Sequence, residues 1–492
     1  MQFVILTACR AGLYGYGESE YFLLRNKLMD YGLKPYSDFE FMYGPALLYG
    51  FRTFSHIFKI QDNTSLIAIT AVETLVGFWA VFYLTRELFP RDKRLFVFGC
   101  LLLPSISVFL MGQNYTYFRF AAPITIAYLA YKIFRLRPAF AGFGVVATFL
   151  TSWLISPELA ITSALALFLV FFVSGSWRER IGIAVLTISG LVLTFSALPI
   201  LAKSMLTMLV FVGGGNAFPV FPTAHIVILL LGLFVSTRLI ASIEWKKNPL
   251  VLLLFLYSVF NLPASLGRCD PSHVAFDSFA LGLLAAKFLE SRPVRLRLWL
   301  QGSSIVITLM VMIGTLYYYV PVIGGLLIDS SRENLSEQQK QWIETHSPEK
   351  YKTKIQARLK GINRTDDLKR FAGSLLIQPR SDQLESTAQS PYFFSYFASP
   401  QAPLSLKANQ QLAGEIANAS SVVVAVGLIE NFCSPWSAHD RVLEMLLWFP
   451  VRWFPKRNEP NDLRKSICIE MAKLEKIDEQ PGLYVVYKKR GG

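Results

Sequence analysis

The chain has 492 residues, of which 53% are apolar and 17% charged, and carries a formal net charge of +14. A soluble chain of average composition carries about 25% charged residues, so this balance points to a membrane protein. Five cysteines (Cys9, Cys100, Cys269, Cys433, Cys468) are too few and too scattered for a disulfide framework or a zinc site, although Cys433 and Cys468 can pair if their region is exported.

Met1–Ala8 is apolar but too short to cross a bilayer, which takes roughly 20 apolar residues. It lacks the basic start and cleavage site of a signal peptide and reads as the tail of a helix whose beginning precedes this chain. A more polar segment, 10–63, follows. Apolar stretches near 65–86, 95–112, 117–134, 139–156, 158–175, 181–201, 223–243, 249–266, 273–289 and 298–320 predict ten membrane spans. Beyond them the chain turns rich in Lys, Glu, Asp and Gln, which sets a boundary between a membrane domain, 1–328, and a polar domain, 329–492. The expected fold is mainly α, a polytopic transmembrane helical bundle with a C-terminal extracytoplasmic α/β or α+β domain.

Basic residues set the sidedness, because cytoplasmic loops hold an excess of Lys and Arg. Alternate connections, at 86–94, 132–137, 178–180, 238–247 and 287–297, hold sixteen of them. The other short connections hold Lys203 and Arg268, with Arg119 just inside a span. Residues 10–63, the loops near 114, 157, 202–222 and 267–272, and all of 329–492 are therefore expected outside. Much of the positive charge is this signal, and no nucleic-acid partner is needed to explain it.

The chemically capable residues gather on that outer face. Glu18, Glu20, Asp38 and Glu40 lie within one short outer segment. Carboxylates beside a membrane can hold a divalent cation such as Mg or Mn, or take a proton from a hydroxyl; a solvated loop with surface charges is the plain alternative. Arg119 follows Gln113-Asn114-Tyr115-Thr-Tyr117-Phe118 at the mouth of a span. An ionisable group at such depth is costly, and Arg matches phosphate geometry, so either anion binding or snorkelling to headgroups accounts for it. Pro157 breaks a helix and leaves Glu158 at the start of the next, where the dipole favours a negative charge. Glu73, within the first full span, is expected to pair with an Arg or a hydroxyl in the bundle. In Gly267-Arg268-Cys-Asp270-Pro271-Ser-His273, Asp270 can cap a helix whose first turn holds Pro271. Asp270, His273 and Asp277 then share one face, and Arg268 with His273 can hold a phosphate.

The stretch 202–222 contains Gly213-Gly-Gly-Asn216, Pro219 and Pro222. It is apolar yet ill-suited to one straight helix, and a re-entrant or interfacial loop over a lipid substrate is expected. The glycine run is no nucleotide loop, since it lacks the strand-to-helix context and the Lys-Ser/Thr ending. In the polar domain, patterns predict helices near 336–350, 365–378, 407–418 and 462–475 and strands at Ser421–Gly427 and Leu483–Tyr487. The aromatic run from Leu443 to Arg457, with Trp448, Trp453, Lys456 and Arg457, is expected to rest on the outer leaflet or to pack in a core. His439-Asp440 reads as structural.

Pro35-Tyr36-Ser37-Asp38-Phe39 followed by Tyr43-Gly44-Pro45, with Glu18 one helix upstream, resembles the first outer loop of the GT-C superfamily of membrane glycosyltransferases. The resemblance is to the bacterial branch related to protein mannosyltransferases and aminoarabinose transferases. Arg268-x-Asp270-Pro-x-His273 resembles the late outer loop of several members. The motif itself covers about 30 residues, and it departs from the family in having Glu where the catalytic acid is usually Asp, with Glu20 as a competitor. The resemblance implies inverting transfer of a sugar from a polyprenyl-phosphate-type donor to a glycan, lipid or protein acceptor. That reaction would take place on the outer face of a bacterial inner membrane, in cell-envelope polysaccharide biosynthesis. It implies Glu18 as general base, Asp38 as loop organiser or metal ligand with Glu18, and Arg119, Arg268 and His273 against the leaving phosphate. Tyr43, Glu158 and Asp270 are further site candidates. An O-antigen ligase or polymerase is a rival within the same compartment, and a flippase or transporter is the non-enzymatic rival.

Overall fold

In a computed structural model, the described residues are 18–30, 32–37, 39, 41, 43–59, 62–110, 116–213, 224–242, 244–268, 271–290, 292–317, 374–377, 393–394, 406–424, 465–480 and 484–490, with single positions at 338, 341 and 345. The described chain is mainly helical, with one small sheet.

The first outer segment is structured. Helices α1 (Glu18–Asp30) and α2 (Pro45–Phe58) enclose a small apolar core of Phe22, Leu28, Phe39, Phe41, Leu48 and Phe51. Arg52 ties the two together by bonding Asn26 Oδ1 at 3.1 Å and pairing with Asp30. Pro45 sits in the first turn of α2, where its missing N–H costs nothing.

Among the described residues, thirteen further α-helices follow up to residue 317: α3 (Asp62–Leu88), α4 (Lys93–Leu110), α5 (Tyr117–Phe134), α6 (Ala141–Trp153), α7 (Pro157–Ser174), α8 (Trp177–Ala197), α9 (Pro199–Gly213), α10 (Ala224–Ala241), α11 (Glu244–Lys247), α12 (Pro249–Arg268), α13 (Pro271–Asp277), α14 (Phe279–Leu289) and α15 (Val294–Tyr317). Among the described residues, four helical stretches, Ala68–Leu88, Pro157–Ser174, Trp177–Ala197 and Pro249–Leu266, are long and apolar enough to cross a membrane. Helix α5 carries Arg119, Pro123 and Lys132, and the expected span 273–289 is split at Ser278 into α13 and α14. The expected loop 202–222 is helical through Gly213, because α9 continues that far; 214–223 lie outside the described residues.

Helices α3, α5, α6, α7, α12 and α14 bury one continuous apolar cluster containing Leu84, Ile124, Leu167, Leu254, Tyr257 and Leu284. Outward rows stay exposed, with Leu193 of α8 69% exposed and Met310 of α15 66% exposed. Apolar patches on this scale need a lipid or protein cover.

Polar contacts join the ends of these helices in two groups. At one end Lys132 pairs with Glu87 at 3.0 Å and Arg297 with Asp92 at 2.6 Å, while Lys287 donates to the Leu88 carbonyl. Three of the five Lys/Arg-rich connections therefore meet at this end. At the other end the Gly44 amide donates to the Ile155 carbonyl and Lys203 donates to Ser37 Oγ at 2.9 Å.

In the C-terminal region, β1 (Leu375–Ile377), β2 (Phe393–Phe394), β3 (Ser421–Val424), β4 (Leu474–Gln480) and β5 (Tyr484–Lys489) form a mixed sheet in the order β2-β1-β3-β5-β4. The β1 pairings with β2 and β3 are parallel, and the others are antiparallel. Helices α16 (Leu406–Asn418) and α17 (Lys465–Ala472) cover one face through Leu412, Ile416, Ile467 and Met471. The expected helix 365–378 is corrected at its end, where Leu375-Leu376-Ile377 is a strand. A short, wholly buried apolar run shows neither a two-residue nor a 3.6-residue period. The expected helix 462–475 gives way to β4 at Leu474, whose Lys- and Glu-rich residues suit an edge strand. Positions 338, 341 and 345 are helical, as expected for 336–350. The run from Leu443 to Arg457, and His439-Asp440, lie outside the described residues. Cys468 is disulfide-bonded; its proposed partner Cys433 lies outside the described residues.

Candidate active site

The site is built on the turn between α6 and α7. That turn ends in Ser156, and Pro157 and Glu158 open α7. The segment preceding α2 docks onto it by two backbone bonds, Gly44 N–H to Ile155 O at 3.0 Å and Ala46 N–H to Leu154 O at 2.8 Å. The approach is close enough that a Cβ on Gly44 would overlap the Trp153 and Leu154 backbones. Glycine is required here for space, since its φ of −68° is open to any residue.

Upstream of the docked turn, Tyr36 takes a left-handed conformation, φ 63°. Its amide donates to the Phe39 carbonyl at 3.0 Å, and its hydroxyl donates to the Tyr43 carbonyl at 2.7 Å. A non-glycine residue there costs about 1–2 kcal/mol, which the buried Tyr36 ring and these bonds offset. The Pro35–Phe39 and Tyr43–Pro45 motifs are thus one folded unit. The Tyr43 ring stacks on Phe22 of α1 at 5.9 Å, so α1 is positioned by the same unit.

Tyr43 also faces Arg119, whose guanidinium lies 4.8 Å from the ring centroid. Arg119 stands in the first turn of α5, which Thr116 caps by accepting from the Arg119 amide. Its side chain is 13% exposed, pairs with Glu158 through Nη2, and donates from Nε to Ser156 Oγ at 3.3 Å. Arg119 is therefore not a bare cation. An incoming anion must share it with Glu158 or displace Glu158.

Asp277, 3% exposed, lies within electrostatic reach of Arg119. It ends α13, where the helix dipole disfavours a carboxylate, so the arginine offsets both burial and dipole. Tyr257 of α12 is fully buried between these groups, with Arg119, Glu158 and Asp277 all in reach. Its hydroxyl donates to the Phe120 carbonyl at 2.7 Å. Phe276 packs on Tyr117 and Phe120 at 5.4 and 5.6 Å, closing the apolar side. Helix α3 approaches from below: a Cβ on Gly77 would overlap the backbone of Tyr117 and Phe118, and Glu73 stands one turn earlier on the same face.

The structure therefore brings Tyr43, Arg119 and Glu158 together, and adds Ser156, Tyr257 and Asp277. Glu18 and Glu20 open α1, but their side chains lie outside the described residues, as do Asp38 and Asp270 entirely. Arg268 ends α12 and His273 lies within α13; their side chains too lie outside the described residues. Tyr257 gave no signal in sequence, because an apolar helix with one Tyr reads as core. Asp277 had one, an acid inside an expected span.

Among the described residues, no three His, Cys, Asp or Glu side chains are grouped to hold a metal ion. The proposed ligands Glu18 and Asp38 are not among the side chains described. No protein-family model matches the sequence, and no curated protein matches it either.

Proposed function

We propose that the protein is an inverting glycosyltransferase that moves a sugar from a polyprenyl-phosphate-type donor to a glycan, lipid or protein acceptor. Its site would face outward from a bacterial inner membrane, with the C-terminal domain on the same side. The observation that carries this reading is the docking of the Tyr43-Gly44-Pro45 turn on the α6–α7 turn. It puts the segment bearing Glu18 and Asp38 beside Arg119 at one polar end of an apolar bundle. The Lys/Arg asymmetry supports the orientation, and the Cys468 disulfide suits an oxidising compartment.

In this reaction the acceptor hydroxyl attacks the anomeric carbon as its bond to the phosphate oxygen breaks. Glu18 takes the hydroxyl proton, and the negative charge passes to the departing lipid phosphate. Arg119 balances that charge by exchanging Glu158 for phosphate, in a site screened by Tyr43, Phe120 and Phe276. Fixed charges in such surroundings act most strongly on a developing charge. Arg268 and His273 would approach from the end of α12 and from α13.

The break between α13 and α14, with Asp277 buried at it, favours a second reading, transport of a lipid-linked sugar. One experiment separates them. Lipid-linked sugars are profiled by mass spectrometry in a deletion strain complemented with wild type, Glu18→Gln, Glu20→Gln or Asp38→Asn. Transfer predicts donor accumulation with Glu18→Gln at wild-type protein levels, and clearance with wild type. Full clearance by Glu18→Gln but not by Glu20→Gln or Asp38→Asn reassigns the base. Clearance to the wild-type level by all three carboxylate variants overturns transfer by these carboxylates in favour of transport.

A further inference from the structure

Helix α12 carries Tyr257, Asn261 and Ser265 at four-residue spacing, hence on one face. All three are at most 1% exposed. Among the described residues, Asn261 Oδ1 and Ser265 Oγ have no hydrogen-bond partner. The Asn261 amide N–H reaches the Tyr257 hydroxyl oxygen, which accepts from it while donating to Phe120, and this leaves Oδ1 and Oγ unused. Pro263, between them, has no N–H to offer the Val259 carbonyl one turn back. Native interiors rarely leave such groups idle, and each specific exception calls for a cause.

The neighbourhood is not a random spot in the bundle. The face leads from Tyr257, beside Arg119, Glu158 and Asp277, toward Arg268 at the end of α12. The neighbouring expected span is broken at Ser278, directly after buried Asp277. The chemistry of the idle groups narrows the ligand. A cation would satisfy Oδ1 and Oγ but be repelled by the Nδ2 hydrogens. A carboxylate or phosphate would meet Oδ1 and Asp277. A neutral hydroxyl both donates and accepts, and satisfies all of them.

We propose that Asn261 and Ser265 form a buried subsite for the hydroxyl groups of a neutral sugar ring. The sugar identity of the ligand rests on the proposed transfer reaction; the idle polar pair does not. The test uses the full chain in lipid nanodiscs and follows its thermal midpoint with glucose, galactose, mannose, arabinose or N-acetylglucosamine as probes, and sucrose as an osmolyte control. At least one monosaccharide should raise the midpoint saturably. Asn261→Leu should fold with a sugar-free midpoint at or above wild type, and raise the half-saturating concentration about ten-fold or more. Ser265→Ala, the milder change, should raise it less. Glu18→Gln should leave the response unchanged, so loss of transfer in that variant alongside an intact response separates the two proposals.

A response identical in Asn261→Leu, Ser265→Ala and wild type overturns the subsite even where transfer stands. So does a linear, sucrose-like response to every sugar. A drop in the sugar-free midpoint with Asn261→Leu and no saturable sugar effect assigns the pair to an internal water instead, and also overturns it.

Discussion

Replacing Gly44 with alanine tests how the candidate site is assembled. The added Cβ would overlap the Trp153 and Leu154 backbones, neither of which can swing away as a side chain tip can. The docked turn must lift, which strains or breaks the bonds from Gly44 to Ile155 and from Ala46 to Leu154. Two backbone bonds at about 1 kcal/mol each, with a steric cost of about 1–3 kcal/mol, give a local destabilisation of about 3–5 kcal/mol. Gly50, one turn into α2, provides the control, since a Cβ there meets nothing within 4 Å. Alanine at that helical position should stabilise by up to about 1 kcal/mol. The assay is the thermal midpoint of the purified full chain, with limited proteolysis around residues 36–46. Gly44→Ala should lower the midpoint and open that segment to cleavage, while Gly50→Ala should hold or raise it. Equal midpoints and equal cleavage for the two variants would refute the close docking.

Arg119→Ala leaves Glu158 without its cation in a site where the two side chains are 13% and 23% exposed. A loss of roughly 3 kcal/mol is expected, and the Arg119→Ala/Glu158→Ala double variant should lose less than the two single losses combined. Strict additivity in thermal or denaturant unfolding would show the pair to be uncoupled. Cys468 should resist maleimide labelling until the protein is reduced, because it is disulfide-bonded. Cys468→Ser should lower the stability of the C-terminal domain by about 2–5 kcal/mol, read by protease resistance of that domain. Labelling of unreduced protein at Cys468 would contradict the bond and remove its support for an exported domain.

Composition and charge carried the coarse architecture. Helix existence follows from apolar runs and from punctuation that acts locally. Pro45, Pro157 and Pro249 each open a helix where their missing N–H is harmless, and Thr116 and the Ser176–Glu179 capping box fix the starts of α5 and α8. The recurrence of Lys and Arg at every second expected connection was equally readable, and three of those connections meet through Glu87, Asp92 and the Leu88 carbonyl. Short elements were not readable. Leu375–Ile377 is a strand only because partners lie beside it, and nothing within three residues encodes a neighbour 47 positions away.

The same division holds for the site. The sequence alone nominated Glu18, Asp38, Arg119 and Glu158 as residues with the chemistry and predicted the end of the bundle they share. Only the tertiary structure decided which of them meet. It paired Arg119 with Glu158, set Tyr43 against that arginine through a glycine that admits no side chain, and drew in Asp277 and Tyr257 from helices more than 130 positions away. Those choices depend on backbone approach and on burial, where an unpaired charge or amide is costly. That cost is set by what surrounds a residue in space, which its neighbours along the chain do not specify.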